Sequence, residues 1–585
     1  MADLNASSVH AKGKTVIESF DYDGVRLLPG RLETQVQRAR EVYAAIPNDS
    51  ILKGFRRESG LPAPGEDMRG WCKTRSAVIF GQLLSGLARM GRATGDHSLW
   101  DKAEALLAGW RETLPADGNF RLRLYDWDKL VGGLVDLHHY AGSTAALPVL
   151  AQAIEWAAGT FDRTRRLSDN FDFWGAGPGA TQEWYTLPEN LYRASLATGD
   201  QAFREFADLW LYDDYWRPLA DGAELPEVVP VHAYSHANSF SSAAMKYAVN
   251  GDARYLRIAV NAYDFLQRTQ CYATGGFGPD ERFMPPDGSL GRSLELYAGH
   301  AEIPCGSWAG FKLSRYLIGF TGEARFGDWI ETMVYNAIGA ALPTEPDGRT
   351  YYYGDYRLSS GLKQHYWHEW PCCSGTYWQL MADYHNVIYF KGTDTLYVNL
   401  FVPSAVAWLH EGQTVNVRQE TDYPEADTTT LAITLARPAR FALRLRVPGW
   451  ARGASVTVNG ETQTVSAEPG EWATVERTWH AGDRLTLRLP MQLRMAPVDP
   501  QHPERVAILF GPTVLAQDEA CCRRPFALES GSALTSALTR EEGRLRFRIL
   551  DTAPERHRRF LQPLNTFPAY WPYWVYFDLH APPLY

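Results

Sequence analysis

Cysteine is scarce in this chain, with seven in 585 residues: Cys72, Cys271, Cys305, Cys372, Cys373, Cys521 and Cys522. An odd number that includes two adjacent pairs does not build the disulfide framework of a small secreted module. Long apolar runs are missing too. None approaches the ~18 residues that a membrane-spanning helix needs, so no membrane partner is expected. Basic charge is in deficit, with 58 Lys and Arg against 68 Asp and Glu and a formal charge of −10. That balance leaves no electrostatic footprint for nucleic acid. The segment from Met1 to Phe20 lacks the basic stretch and apolar core of a secretory signal; a cytoplasmic address with reduced thiols is the expectation. What is abundant is aromatic: 20 Trp, 30 Tyr and 25 Phe within a 45% hydrophobic composition. Such a composition excludes wholesale disorder and suits a folded chain of ~3–4 average domains, or fewer large ones.

Through the first two-thirds of the chain one short punctuation recurs. It reads Thr94-Gly95-Asp96, Thr198-Gly199-Asp200, Asn250-Gly251-Asp252 and Thr321-Gly322-Glu323, with Ala141-Gly142-Ser143 as a variant. Glycine ends one helix in the left-handed conformation, and the following Asp or Ser caps the next; Glu323 is a weaker cap. The flanking segments are amphipathic: Tyr255, Ile258, Ala259, Ala262, Tyr263 and Leu266 share one helical face. The signal returns roughly every 50–70 residues, the length of a helical hairpin with its loop. About twelve helices are expected between Leu32 and Asn386, and six hairpins close naturally into an (α/α)6 barrel.

Past Lys391 the period becomes alternating. Leu396–Val402, Phe441–Val447 and Arg484–Leu489 read as strands, and Asn459-Gly460 marks a tight hairpin. The sequence therefore predicts an α+β multidomain chain. An extended segment over 1–25 adds strands to the sandwich, the barrel covers 26–390, and β-sandwich structure covers 391–585. The Pro- and aromatic-rich stretch from Pro563 to Tyr585 has no clear pattern.

One group of side chains carries chemistry. Glu302-Ile303-Pro304-Cys305 and Pro371-Cys372-Cys373-Ser374 supply one carboxylate and three thiols, a set that suits tetrahedral zinc, Zn2+. Adjacent cysteines are an unusual zinc spacing, so spacing alone leaves buried thiols as an alternative. Cys72, Cys271, Cys521 and Cys522 are read as buried thiols of the core. His300-Ala301-Glu302 resembles the His-x-Glu of zinc deaminases, but the Pro-Cys-x-x-Cys that must accompany it is missing.

These motifs resemble glycoside hydrolase family 127, the β-L-arabinofuranosidases and their relatives. The likeness lies in Gly275-Gly276-Phe277-Gly278-Pro279-Asp280-Glu281-Arg282-Phe283, in Glu302 with Cys305, and in Cys372-Cys373. It continues through Leu443–Ala451, Val458-Asn459-Gly460 and Trp479–Asp483, and covers roughly residues 30 to 500. The resemblance implies a zinc site of Glu302, Cys305, Cys372 and Cys373, with Cys372 as the nucleophile of a retaining exo-glycosidase and Glu281 as its acid/base. It implies a carbohydrate partner and a sugar contact at His236. Asp128, Glu189, His365 and Trp370 are candidates to bind substrate, Trp370 and Trp367 through their ring faces.

The chemistry is coherent. A thiol of pKa near ~8.5 is mostly protonated at neutral pH, and a coordinating cation removes that proton. A thiolate then displaces the leaving group while a second residue donates and later accepts a proton. The chain departs from the family pattern in three places. Two residues rather than one separate Glu302 from Cys305, Asp128 precedes Lys129 where relatives often have His, and Leu187-Pro188-Glu189-Asn190 replaces a Gly-rich stretch. The sugar therefore need not be L-arabinofuranose. Rival readings are a polysaccharide lyase or unsaturated uronyl hydrolase on the same barrel, or a non-catalytic carbohydrate-binding relative. A homodimer is left open.

Overall fold

The computed structural model describes residues 13–161, 183–222, 232–295, 300–341, 344–518, 533–550 and 559–580, with Leu225, Pro525, Leu528 and Glu529. Cys521 and Cys522 lie outside the described residues. Six inner helices, Ala77–Thr94, Leu124–Ala141, Leu187–Thr198, Ala233–Asn250, Pro304–Thr321 and Cys372–Asp383, each pack on the next, and the last packs on the first. The ring is closed. Each inner helix also has an outer partner: His97–Arg111, Ala146–Thr160, Gln201–Asp208, Ala253–Thr269, Gly327–Asn336 and, for the sixth, Arg31–Ala45. This is an (α/α)6 barrel. Inner helices such as Ala233–Asn250 are buried almost all round, whereas outer ones such as Ala253–Thr269 bury one stripe.

The punctuation works as its chemistry dictates. Gly95, Gly142, Gly199, Gly251 and Gly322 all sit at φ between 69° and 75° at the ends of inner helices. Asp96, Asp200 and Asp252 then accept from the backbone N–H two residues on, capping the outer helices. Glu323 makes no side-chain cap, and the chain there passes through a 3-10 turn at Ala324–Phe326 before its outer helix begins. Five of the six inner helices leave by such a turn at their C-terminal ends, and the sixth, Cys372–Asp383, passes into a 3-10 turn at Tyr384–Asn386; the N-terminal ends of the ring lie at the opposite end of the barrel.

Two β units follow. A five-stranded sheet (Glu18–Ser19, Tyr389–Lys391, Thr395–Val398, Ala439–Arg446, Trp472–Trp479) accompanies a seven-stranded one that ends on Val25–Leu27. The N-terminal segment thus enters both sheets, through Glu18↔Lys391 and Val25↔Val406. Asn459 and Gly460 take φ of 52° and 86° in the hairpin between Ser455–Val458 and Glu461–Thr462. A further nine-stranded sheet runs from Leu493 to His580 and includes Phe560–Pro563, Tyr573–Trp574 and Tyr576–His580. The patternless terminal stretch thus holds a 3-10 turn at Leu564–Thr566 and then two short strands up to His580, pieces too short for alternation to register. Asn336 ties this sheet to the barrel through Pro512 and Val514. Among the described residues, no helix is long and apolar enough to cross a membrane.

Candidate active site

The N-terminal ends of the inner helices collect the chemistry. Cys372 is the first residue of its helix and Cys305 the second of its own, with Pro304 at the first position, where a missing N–H costs nothing. Glu302 ends a short strand, His300–Glu302, held by Tyr351–Asp355. Glu302 thus belongs to a strand and Cys305 to a helix, so the two do not share one helix despite the Glu-x-x-Cys spacing. The ligand atoms of Glu302, Cys305, Cys372 and Cys373 all lie within 4.8 Å of one another and are buried. Cys373 Sγ is 3.0 Å from Glu302 Oε1 and 3.3 Å from Cys305 Sγ. Cys372 Sγ is 3.8 Å from Cys305 Sγ and 3.9 Å from Glu302 Oε1.

Those separations are far beyond a disulfide bond of ~2.05 Å. A tetrahedron with its centre ~2.3 Å from each sulfur and ~2.0–2.2 Å from the oxygen has edges of ~3.6–3.8 Å; the two Cys372 separations lie close to that, and the two Cys373 separations are shorter. The donor set fits a zinc-sized cation. Hydrogen bonding from Cys305 and Cys373 holds the Cys372 thiol well below its ordinary range, and Lys129 and His232 add to the effect. Burial pushes the thiols of Cys305 and Cys373 up, the opposite direction to Cys372. A helix N-terminus is a natural place for an anion.

Glu281 faces the same cluster. It accepts from Tyr353 Oη at 2.6 Å, and its Oε2 lies 3.8 Å from His232 Nε2. Burial, reinforced by the nearby charges of Glu302 and Cys372, pushes its carboxyl up to about 7, although His232 and Tyr353 pull the other way. Glu281 and its neighbour Asp280 adopt left-handed backbone at φ 57° and 53°. Such strain in residues with a Cβ collects at functional sites.

Sequence reasoning missed His232, the residue just before the helix Ala233–Asn250. Its Nε2 is 2.8 Å from Glu302 Oε2 and its Nδ1 is 3.0 Å from Glu183 Oε1. Burial disfavours a charged imidazole, but these carboxylates override it and raise the pKa of His232 well above normal. The missed signal was its position as an N-cap residue at the same barrel end as the cysteines. His236 lies one turn deeper and packs elsewhere, its ring stacked 4.4 Å from Tyr185 with Tyr212 and Tyr215 beyond.

A polar cavity of about 40 Å³ lies inside the ring, lined by Gln82, Tyr125, Asp128, Glu183, Glu189 and Asn238 among others. Asp128 accepts from Thr186 and Asn190, and burial raises its pKa. Glu189 is paired with Lys312 and accepts from Tyr316 at 2.8 Å; burial opposes its charge, but Lys312 and Arg193 keep it ionised. His236 and the remaining two candidates are not among the lining residues. His365 sits against Tyr570, 3.8 Å from Glu345. Trp370 turns away at φ 51° and helps line a separate surface pocket with Ile46, Pro47 and Met68. Its indole lies where a Cβ on Gly348 would come within 2.1 Å, so that glycine is required. Trp367 is 69% exposed and stacks on Tyr366 at 4.3 Å.

A barrel of paired helices with a thiol-rich site at the inner N-termini, followed by sheets, defines a class of carbohydrate-active fold. The family model for the β-L-arabinofuranosidase GH127 catalytic domain matches residues 109–386, and that for the GH127 middle domain matches 395–491. The chain belongs to glycoside hydrolase family 127. A GH127 β-L-arabinofuranosidase from Geobacillus stearothermophilus T6 superposes with a TM-score of 0.69 at 19% identity, covering 95% of this chain and all of that one. Another GH127 β-arabinofuranosidase reaches a TM-score of 0.72 at 18% identity, over 97% of this chain and 99% of that one. The non-reducing end β-L-arabinofuranosidase of Bifidobacterium longum subsp. longum is 22% identical over 345 residues, 54% of this chain and 50% of that protein. The match thus spans half the length of that curated relative.

Proposed function

We propose that this protein is a retaining exo-glycosidase that releases L-arabinofuranose or a related sugar, with Cys372 as nucleophile and Glu281 as acid/base. The observation that carries the reading is geometric: Cys372 gathers with Cys305, Cys373 and Glu302 at the inner-helix N-termini, and Glu281 is held by Tyr353 beside the His232 that bonds Glu302. Glu302, Cys305, Cys372 and Cys373 would hold a Zn2+ ion, which supplies a positive charge that keeps the thiols deprotonated.

In the first half-reaction Cys372 Sγ attacks the anomeric carbon. A carbon–sulfur bond forms as the glycosidic carbon–oxygen bond breaks, and the Glu281 proton passes to the leaving oxygen. In the second, the Glu281 carboxylate takes a proton from water as that water attacks the anomeric carbon. The carbon–sulfur bond breaks, and the electron pair returns to Cys372. Tyr353 orients Glu281 by donating to Oε1. His232 bridges Glu302 and Glu183, fixing the carboxylate that faces the thiols. Asp128 and Glu189 line the cavity that would take hydroxyl substituents of the sugar, and Trp367 offers an exposed ring face outside it.

The test is a panel of aryl furanosides and pyranosides of both series, assayed with and without chelator and thiol alkylator. The reading expects hydrolysis of a β-L-furanoside that both reagents abolish. Turnover that survives alkylation of Cys372 would sink it.

A further inference from the structure

Two oxygen atoms of cavity-lining side chains are buried and have no hydrogen-bond partner among the described residues: Glu183 Oε2 and Asn238 Oδ1. Glu183 is 1% exposed and Asn238 5%. The other carboxylate oxygen of Glu183 is engaged by His232 at 3.0 Å. Its backbone is held left-handed, at φ 54° and ψ 29°, in a residue with a Cβ. Strain of that kind persists where surroundings impose it, and it gathers in sites that bind. Asn238 stands one turn beyond Tyr234 on the inner helix, and with Tyr234 and Ser235 it forms the face that lines the cavity.

Burying an acceptor without a donor is costly, so a ligand seated here must bring donors. The neighbouring carboxylates are already supplied, Asp128 by Thr186 and Asn190, and Glu189 by Lys312 and Tyr316. Glu183 and Asn238 are left with unused capacity. On the same walls Lys129, Lys312, Arg89 and Arg193 are balanced by Asp128, Asp136, Glu183 and Glu189, so no excess charge of either sign draws in an ion, and neutral hydroxyl groups are the donors that fit. Size narrows the choice further. A cavity of about 40 Å³ compares with the ~30 Å³ that one water takes up in the liquid, enough for hydroxyl substituents but not for a sugar ring.

We infer that Glu183 and Asn238 form the hydroxyl-reading end of the glycone subsite. Each accepts from a hydroxyl on the side of the terminal sugar remote from its anomeric carbon. The inference rests on the glycosidase reading above and names the substrate feature that this site selects. Glu183 acts on both partners at once, since the carboxylate that reads the sugar also orients His232 and, through it, Glu302.

The experiment compares kcat/KM for an aryl β-L-arabinofuranoside and its 2-, 3- and 5-deoxy analogues, in the wild type, Glu183→Gln and Asn238→Ala. The wild type is expected to lose about 10- to 100-fold on the 3-deoxy analogue, the 5-deoxy analogue or both, a loss typical of an unmet buried acceptor. The variants should show a similar loss on the parent substrate, chiefly in KM, and little further loss on that analogue. Equal losses on all four substrates would mark a purely structural role and overturn the inference. So would a wild type indifferent to every hydroxyl, a comparison that needs no variant to fold. If the wild type hydrolyses none of the panel, the glycosidase reading fails on its own. Calorimetric titration of wild type and Glu183→Gln with L-arabinose then decides the hydroxyl site: binding weakened in the variant supports it, and equal binding or none overturns it.

Discussion

At the scale of single residues the site separates two protons. Cys372 is held anionic by its neighbours, while Glu281 is kept protonated to about 7 chiefly by burial. A general acid must carry its proton, so kcat/KM should fall as pH rises through about 7. In Glu281→Gln that basic limb should vanish and the rate on unactivated substrates should drop by about 10²–10⁴-fold. A pH–rate profile of both proteins checks this, and an unchanged limb in the variant would assign the titration to another group. The buried Asp136 offers a test of stability. Burial alone would raise its pKa, but Arg193 and Arg89 hold it well below normal. Its contribution is therefore complete above the unfolded value near ~3.9 and is lost as pH falls through the folded one. Asp136→Asn should destabilise the protein at neutral pH by about 3–5 kcal/mol, because Arg193 loses its carboxylate partner and Arg89 keeps only Asp383. That difference should shrink in denaturant titrations below about pH 4.

At the scale of elements the helical hairpins are the unit. Their capping turns and the candidate site occupy opposite ends of the barrel, so stability and chemistry are separable. Asp252→Ala removes a cap on Arg254 N and should cost about 1 kcal/mol in urea titrations while leaving kcat/KM unchanged. A matching loss of activity would contradict that separation. The glycine and aspartate punctuation made the hairpins legible in sequence, because each residue acts within its own turn. The thiols and Glu302 were legible for the same reason: few residue types can do their chemistry. Direction in space was not legible. His236 and His232 are four residues apart, yet one faces Tyr185 and the other Glu302. Trp370 is two residues from Cys372, but a left-handed backbone turns it toward Gly348 and a different pocket. Glu183 owes its role to the partner on one oxygen and the lack of one on the other, which no local pattern encodes. The β character of the C-terminal region was legible, but the last strands of its terminal sheet had no readable pattern, because pieces such as Tyr573–Trp574 are as short as two residues.

At the scale of the molecule the barrel and sheets form one packed body. Arg446, on a sandwich strand, is fully buried between Asp328 and Glu331 of the outer helix Gly327–Asn336. Arg446→Met should weaken that junction and lower the unfolding temperature before it affects turnover; a thermal scan alongside an activity assay checks the order. The scarce cysteines acquire a place in this frame. Cys72 is buried beside the carbonyl of Trp370, and Cys305, Cys372 and Cys373 gather with Glu302 where the inner helices begin. The central claim is that Cys372 is the nucleophile. The most direct test is mass spectrometry of Glu281→Gln after brief exposure to an aryl β-L-arabinofuranoside with a good leaving group. Such a substrate needs no acid for the first step, and the missing base stalls the second. The account predicts a pentosyl adduct on the peptide containing Cys372. An adduct on a carboxylate, or none with a product of inverted anomeric configuration, would contradict it.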